Sequence, residues 1–188
     1  MKKYVILAGV NGAGKSTLFS LIPSVSEIEK INLDETIKSM GDWQDIKVIS
    51  LAGRQTIQRI RCYFEEGVSF SQETTLCGKT ILRNIEQAKA LGYRIEMHYV
   101  GLDSPETAKA RVKNRVMHGG HGISDSDIDR RYIETLQNLK IVLPLCDLAV
   151  IYDNTTAFRR FAIYKNGKCV IKSKHLPPWY SQIQEEQG

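Results

Sequence analysis

Gly9-Val10-Asn11-Gly12-Ala13-Gly14-Lys15-Ser16-Thr17 satisfies the pattern G-x-x-x-x-G-K-[ST] in full. Its surroundings fit as well. An apolar run, Tyr4 to Ala8, precedes it and reads as a buried strand, and Ser16 to Ile22 follows and can open a helix. Glycines let the backbone curl so that successive N–H groups converge on an anion, and a helix N-terminus adds its positive dipole end. Lys15 would reach the β- and γ-phosphates of a nucleotide, and the Ser16 hydroxyl would ligate Mg²⁺. Gly9, Asn11, Gly12, Ala13, Gly14, Lys15, Ser16 and Thr17 are therefore the first nucleotide-binding candidates. A chance glycine turn would not bring Lys-Ser, the spacing and the strand–helix context together.

Composition sets the outer limits. A length of 188 residues suits one domain, 1–188, with a sizeable core, and 42% hydrophobic with 25% charged residues is ordinary for a soluble globular protein. No apolar run is long enough to span a bilayer, and Met1-Lys2-Lys3 leads straight into the first strand, leaving no room for a signal peptide. Cys62, Cys77, Cys146 and Cys169 are widely spaced without a C-x-x-C pair, as expected of free thiols in a cytoplasmic protein. The formal charge of +5 favours an anionic ligand but is too scattered to argue for nucleic acid.

Outward from the loop, strands alternate with helices. Ile28 to Leu33 predicts a second strand, ending in Asn32-Leu33-Asp34. Asp42 to Glu66 is the longest helical pattern, with Ile46, Ile49, Ile57, Ile60 and Phe64 as its inward stripe and Gly67 as its stop. Val68 to Thr74 and Arg94 to Leu102 predict the third and fourth strands, separated by a helix from Lys79 to Leu91. Ser104-Pro105 opens a helix to Met117. His118-Gly119-Gly120-His121-Gly122 must be a loop, and Ser124-x-x-Asp127 caps the helix that follows. Leu148 to Tyr152 predicts the fifth strand, and Asn166-Gly167 a hairpin within 158–173. The stretch 177–188 reads as a polar, loosely held tail. The implied architecture is α/β, a mostly parallel five-stranded sheet with helices on both faces, a helical lid at about 111–135 and a C-terminal β-hairpin.

Ligands of such sheets bind beyond the carboxyl ends of the strands. That rule gathers Asp34, Glu73, Thr74 and Thr75 on the rim beside the loop. Asp34 could orient or deprotonate an attacking hydroxyl; it could also be the N-cap of a short helix. Glu73 and Thr75 could hold Mg²⁺-bound water or an acceptor's hydroxyls, or simply end a strand in solvent. Arg111 and Arg115 share a helix face, and Arg130 and Arg131 follow the glycine loop. Facing inward they make a lid that neutralises a transferring phosphoryl group; facing outward they pair with Asp125, Asp127 and Asp129. Two histidines, His118 and His121, have no third ligand nearby in sequence and read as lid residues. Asp103 and Asp153 end strands without making a convincing Walker-B site, so the pattern leans to a small-molecule kinase. Asp153 lies late in the chain, where base or ribose would sit, and Asn154 after it joins the nucleotide-binding candidates.

The phosphate loop, the Asn-x-Asp ending at Asp34, Glu73-Thr74-Thr75 and the segment Arg111 to Asn138 resemble the zeta-toxin family of phosphate-loop kinases. Most specific are Arg115-Val-Met-His-Gly-Gly-His-Gly-Ile-Ser, Ile128-Asp-Arg-Arg-Tyr and Leu136-Gln-Asn-Leu, similar to the lid of compact, single-domain members. The resemblance spans Tyr4 to Asn154. It implies transfer of the γ-phosphate of ATP, with Mg²⁺, to a hydroxyl of a small acceptor such as UDP-N-acetylglucosamine, and an antitoxin partner for some members. It implies Asp34 as general base, Glu73 and Thr75 at the acceptor or the metal's water, and Arg115 with Arg130 or Arg131 on the phosphates. Two other readings use the same loop: a nucleotide-dependent binding module or regulatory ATPase, which leaves Asp34 and Glu73 without a shared role, and a nucleic-acid end kinase.

Overall fold

Tyr4 to Ala8 are sealed from solvent, none more than 1% exposed, in a computed structural model that describes residues 1–23 and 27–184. A strand apolar on both faces needs covering on both, which a parallel sheet between helix layers provides. The strands are β1 (Lys3–Ala8), β2 (Glu29–Asn32), β3 (Phe70–Thr74), β4 (Arg94–Gly101), β5 (Leu148–Asp153), β6 (Arg159–Lys165) and β7 (Lys168–Lys172). Among the described residues they form one seven-stranded sheet in the order β2-β3-β1-β4-β5-β6-β7. The first five are parallel. The hairpin β6–β7 continues this sheet antiparallel to β5 instead of standing apart from it. Asn166 and Gly167 both take positive φ, 48° and 74°, the backbone a two-residue hairpin turn requires.

The helices are α1 (Lys15–Leu21), α2 (Leu33–Met40), α3 (Ile46–Glu66), α4 (Lys79–Ala90), α5 (Pro105–Met117), α6 (Asp125–Val142) and α7 (Pro178–Gln184). Caps fall where the residue types demand. Ser104 caps α5 with Pro105 in its first turn, and Ser124 caps α6 by accepting from the Asp127 amide. β1 lies between β3 and β4, so the chain leaves it in one direction and returns on its other side. That switch point opens a crevice at the strand ends, and the phosphate loop sits in it.

Two expectations are corrected. On α3 the buried stripe is Ala52, Thr56, Ile60 and Phe64, while Ile46, Ile49 and Ile57 are 81%, 39% and 41% exposed. One reason is that part of α3 walls a cavity: Gly53, Thr56, Ile57 and Ile60 line it. The supposed loose tail is helical, and Trp179, Tyr180 and Ile183 are core residues. Trp179 packs so closely on Gly101 that a Cβ there would lie 2.1 Å from its ring, and its indole N–H donates to Asp153 at 2.9 Å. Polar neighbours and two prolines masked this anchor in the sequence. Residues 185–188 of the expected tail lie outside the described residues.

Candidate active site

The phosphate loop follows β1 directly. Gly9 takes φ 140°, and a Cβ on it would meet the Val100 carbonyl oxygen at 2.2 Å, so only glycine passes between loop and β4. Gly14, at φ 98°, is the N-cap of α1 and would press a Cβ to 2.6 Å of the Asn154 amide. No side chain caps α1 and no acid occupies its first turn. Its leading amides are thus available to an anion. Asn154 donates to the Ala13 carbonyl at 2.9 Å, and Arg111 donates to the Asn154 and Thr155 carbonyls at 2.6 and 3.0 Å. Arg111 and Asn154 thus brace the loop's underside.

Lys15 is buried, its ammonium donating to the Gly9 and Val10 carbonyls at 2.9 and 3.2 Å. Burial pulls its pKa down; Glu73 and then Asp34 oppose this, while Arg115 and Arg131 add to it. Four of the sequence candidates therefore place charge where Lys15 feels it. Ser16, exposed, donates to both Glu73 oxygens at 3.0 and 3.2 Å. Thr17 is also exposed, on the first turn of α1. Glu73 in turn accepts from Asn32 at 2.9 Å and lies 3.6 Å from Lys30.

A hydroxyl and a carboxylate side by side at the loop are hard oxygen donors of the kind Mg²⁺ takes. Among the described residues no three His, Cys, Asp or Glu side chains gather around a metal position. Mg²⁺ in such sites uses one or two protein oxygens plus phosphates and water, so Ser16 and Glu73 suit it. His118 instead caps its own helix turn on the Asn114 carbonyl, and His121 lies tilted beside Trp43, ring centroids 6.2 Å apart.

One cavity of about 410 Å³ unites most of the remaining candidates. Asn11, Lys15, Asp34, Glu73, Thr74, Thr75, Arg130 and Arg131 all line it. Asp34 lies in the first turn of α2, exposed, and it is not the cap. Asn32 is, accepting from the Asp34 and Glu35 amides at 2.8 and 3.3 Å. The Asp34 carboxylate is thereby left to the cavity. Asn32 was legible as a helix N-cap from its residue type, but its second job of steadying Glu73 was not. Tyr4, Gln72, Thr56 and Asn84, which also shape this site, carried no signal because they sit in plain strand and helix patterns.

The arginines separate. Arg131 reaches the loop, donating to Asn11 at 3.1 Å. Arg130 is 58% exposed and pairs with Asp127 at 2.8 Å and Glu134 at 3.1 Å, the outward arrangement. What aims Arg131 is the seating of α6: Asn138 donates to the Leu76 carbonyl at 2.7 Å, and the Gly78 amide donates to Glu134 at 2.7 Å. Arg115 braces the glycine loop through the His121 carbonyl at 2.9 Å and does not line the cavity. Val112, Ile128 and Tyr132 belong to the core, so the helices on either side of the glycine loop are anchored in it.

The fold and this loop define a phosphate-loop kinase, a phosphotransferase. More closely, the chain belongs to the zeta-toxin family, whose model matches residues 1–174. An uncharacterised protein of Haemophilus influenzae Rd is 31% identical over 131 residues, 69% of this chain and 92% of its own length. Among solved structures, the AvrRxo1-ORF1:AvrRxo1-ORF2 complex with sulphate ions matches at TM-score 0.74 and 13% identity, over 100% of this chain and 65% of that one. The same complex with ATP matches at TM-score 0.72 and 13% identity, again over 100% and 65%. The PezAT toxin–antitoxin system of Streptococcus pneumoniae matches at TM-score 0.62 and 16% identity, over 97% and 76%. These structural likenesses establish the fold.

Proposed function

We propose that the protein transfers the γ-phosphoryl group of Mg²⁺·ATP to a hydroxyl of a small acceptor held in the 410 Å³ cavity. One observation carries this reading: a carboxylate released from capping, Asp34, shares that cavity with the phosphate-loop lysine, Lys15. The acceptor oxygen attacks the γ-phosphorus, the bond to the β–γ bridging oxygen breaks, ADP leaves, and the hydroxyl proton passes to Asp34. Lys15, the loop amides and Arg131 hold the charge that spreads over the transferring group. Ser16 and Glu73 would hold Mg²⁺, which would supply positive charge to offset that of the nucleotide's phosphates. Thr74 and Thr75 stand where acceptor hydroxyls arrive, and Arg111 with Asn154 keep the loop in shape for the nucleotide. UDP-N-acetylglucosamine is the acceptor the family resemblance puts first. A protein partner of the antitoxin kind belongs to the same reading, supported by the likeness to the PezAT system.

Calorimetric ATP binding and acceptor phosphorylation, run side by side on wild type and Asp34→Asn, test it. Mg²⁺·ATP affinity should persist in the variant while transfer falls by about 10²–10⁴, the range for a lost general base. Stability should hold, since Asn32 and not Asp34 caps α2. Equal transfer rates would remove Asp34 from the chemistry. ATP binding with no acceptor phosphorylated in a broad screen would replace the kinase by a nucleotide-dependent binding module.

A further inference from the structure

Glu73 is a carboxylate with little access to water, its side chain 10% exposed, and so deep a charge needs partners. Its two oxygens are held unequally. Oε2 accepts from the Asn32 amide at 2.9 Å and lies 3.6 Å from the Lys30 ammonium, while Oε1 accepts from Ser16 at 3.0 Å. Ser16 also stands 3.2 Å from Oε2. Lys30 and Asn32 are alternate residues of β2 and share a face, and the register sets Asn32 opposite Glu73 on β3. The Asn32 amide has one orientation open to it. Its Oδ1 accepts from the Asp34 and Glu35 backbone amides at 2.8 and 3.3 Å, which leaves the NH₂ group to face Glu73, with Glu35 farther off at 3.5 Å. Lys30 is fixed from two other elements. Its ammonium lies 2.6 Å from Glu35 in the first turn of α2 and 4.6 Å from the centre of the Phe19 ring on α1. Shared with Glu35, the Lys30 charge anchors Glu73 without cancelling it.

We propose that Asn32 and Lys30 are positioning residues for the metal: they hold Oε2 to the sheet, and Glu73 thereby presents Oε1, beside the Ser16 hydroxyl, to Mg²⁺ or its water. This rests on the phosphotransfer reading above and takes it further in two ways. Lys30, which lines no part of the 410 Å³ cavity, joins the site, and Glu73 is assigned to the metal and not to the acceptor's hydroxyls. Mg²⁺ demands near-ideal geometry, so a carboxylate free to swing is a poor ligand. Hydrogen bonds to the far side of a ligand remove that freedom before the metal arrives, and losing one typically costs about 10–100-fold in metal affinity. A purely structural pair would behave otherwise. If Asn32 and Lys30 did no more than satisfy a buried charge, their loss would lower stability and leave the response to Mg²⁺ alone.

Two variants separate these roles. Asn32→Ser keeps a capping oxygen for α2 and loses the reach to Glu73, and Lys30→Met keeps the stem against Phe19 and loses the charge. Calorimetry with the β,γ-imido analogue of ATP, with and without Mg²⁺, reads binding without turnover. The affinity gained from Mg²⁺ in wild type should shrink about tenfold in each variant, and the acceptor KM at saturating Mg²⁺ should hold. In a Glu73→Gln background neither change should reduce the gain further, because both act through that carboxylate. A full Mg²⁺ gain in either variant, whatever its unfolding temperature, would overturn that residue's role and leave the kinase standing. So would a raised acceptor KM with the gain intact, which would return Glu73 to the acceptor, or a loss that persists in Glu73→Gln. Nucleotide binding that Mg²⁺ does not strengthen even in wild type would remove the metal from the phosphotransfer reading and this inference with it.

Discussion

Arg130 and Arg131 are adjacent in sequence, yet 100° of helix rotation gives them different work. Arg131 meets the phosphate loop through Asn11, and Arg130 meets Asp127 and Glu134 in solvent. Exposed helix pairs of the second kind contribute a few tenths of a kcal/mol. A preorganised cation at a transferring phosphoryl group contributes far more to rate. Arg131→Ala should therefore lower kcat by about 10²–10³ with a smaller effect on ATP binding, whereas Arg130→Ala should keep wild-type kinetics. Steady-state kinetics on the two variants decides the assignment; equal losses would show that both guanidiniums act on the phosphates. The same logic separates Asn32 from Asp34. Two residues apart, one closes the helix and steadies Glu73, and the other is left with its carboxylate facing Lys15.

At the scale of elements, α3 and α7 show what hydropathy patterns conceal. α3 carries Gly53 in its interior, where a Cβ would meet nothing within 4 Å. Helix-interior glycine costs backbone entropy without any packing return here, so Gly53→Ala should stabilise the protein by about 0.5–1 kcal/mol. Urea unfolding measures it, and a loss of stability would mean the cavity wall does not tolerate the added methyl. α7 is short and flanked by prolines, yet Trp179, Tyr180 and Ile183 complete the core against Phe161 and Tyr99. Trp179→Ala should cost about 3–5 kcal/mol, a large part of a typical domain's stability, mainly through the cavity it leaves, since Asp153 keeps its bond from Thr155. A loss below about 1 kcal/mol in urea unfolding would show α7 to be the loose tail its composition suggested.

Over the whole molecule, the switch between β3 and β4 on either side of β1 is what draws residues 9–16, 32–34, 73–75 and 131 to one crevice. The sheet that does this also buries a titrating group. His98, in β4, is 7% exposed, beside the Tyr152 hydroxyl at 3.3 Å, and burial pushes its pKa down to about 4 against the pull of Glu96. The unfolded chain would bind that proton near pH 6.5 and the folded protein only near 4. The His98 contribution is therefore complete above pH 6.5, declines as pH falls through that window and levels off near 4, with a span of up to about 3 kcal/mol. Thermal unfolding from pH 7 to 4 should be steeper for wild type than for His98→Gln. Parallel profiles would show that His98 is protonated in the fold.

Local chemistry determined a great deal before any tertiary contact was known. A complete phosphate-binding pattern between an apolar strand and a helix, Ser104-Pro105, Ser124-x-x-Asp127 and Asn166-Gly167 each encode their structure within a few residues, because caps and tight turns depend on nearest neighbours. Strand and helix order follows from the same short range, and with it the rim that carries Asp34 and Glu73. What only the tertiary structure decided are matters of facing. Arg131 and not Arg130 meets the loop because α6 is seated by Asn138 and Glu134 on the turn after β3. Ile57 lines a cavity and not the core because α3 passes beside the crevice. Trp179 is an anchor because Gly101, 78 positions earlier, leaves it room. Those outcomes depend on contacts between residues far apart in the chain, where periodicity within one segment carries no information about which neighbour it will meet.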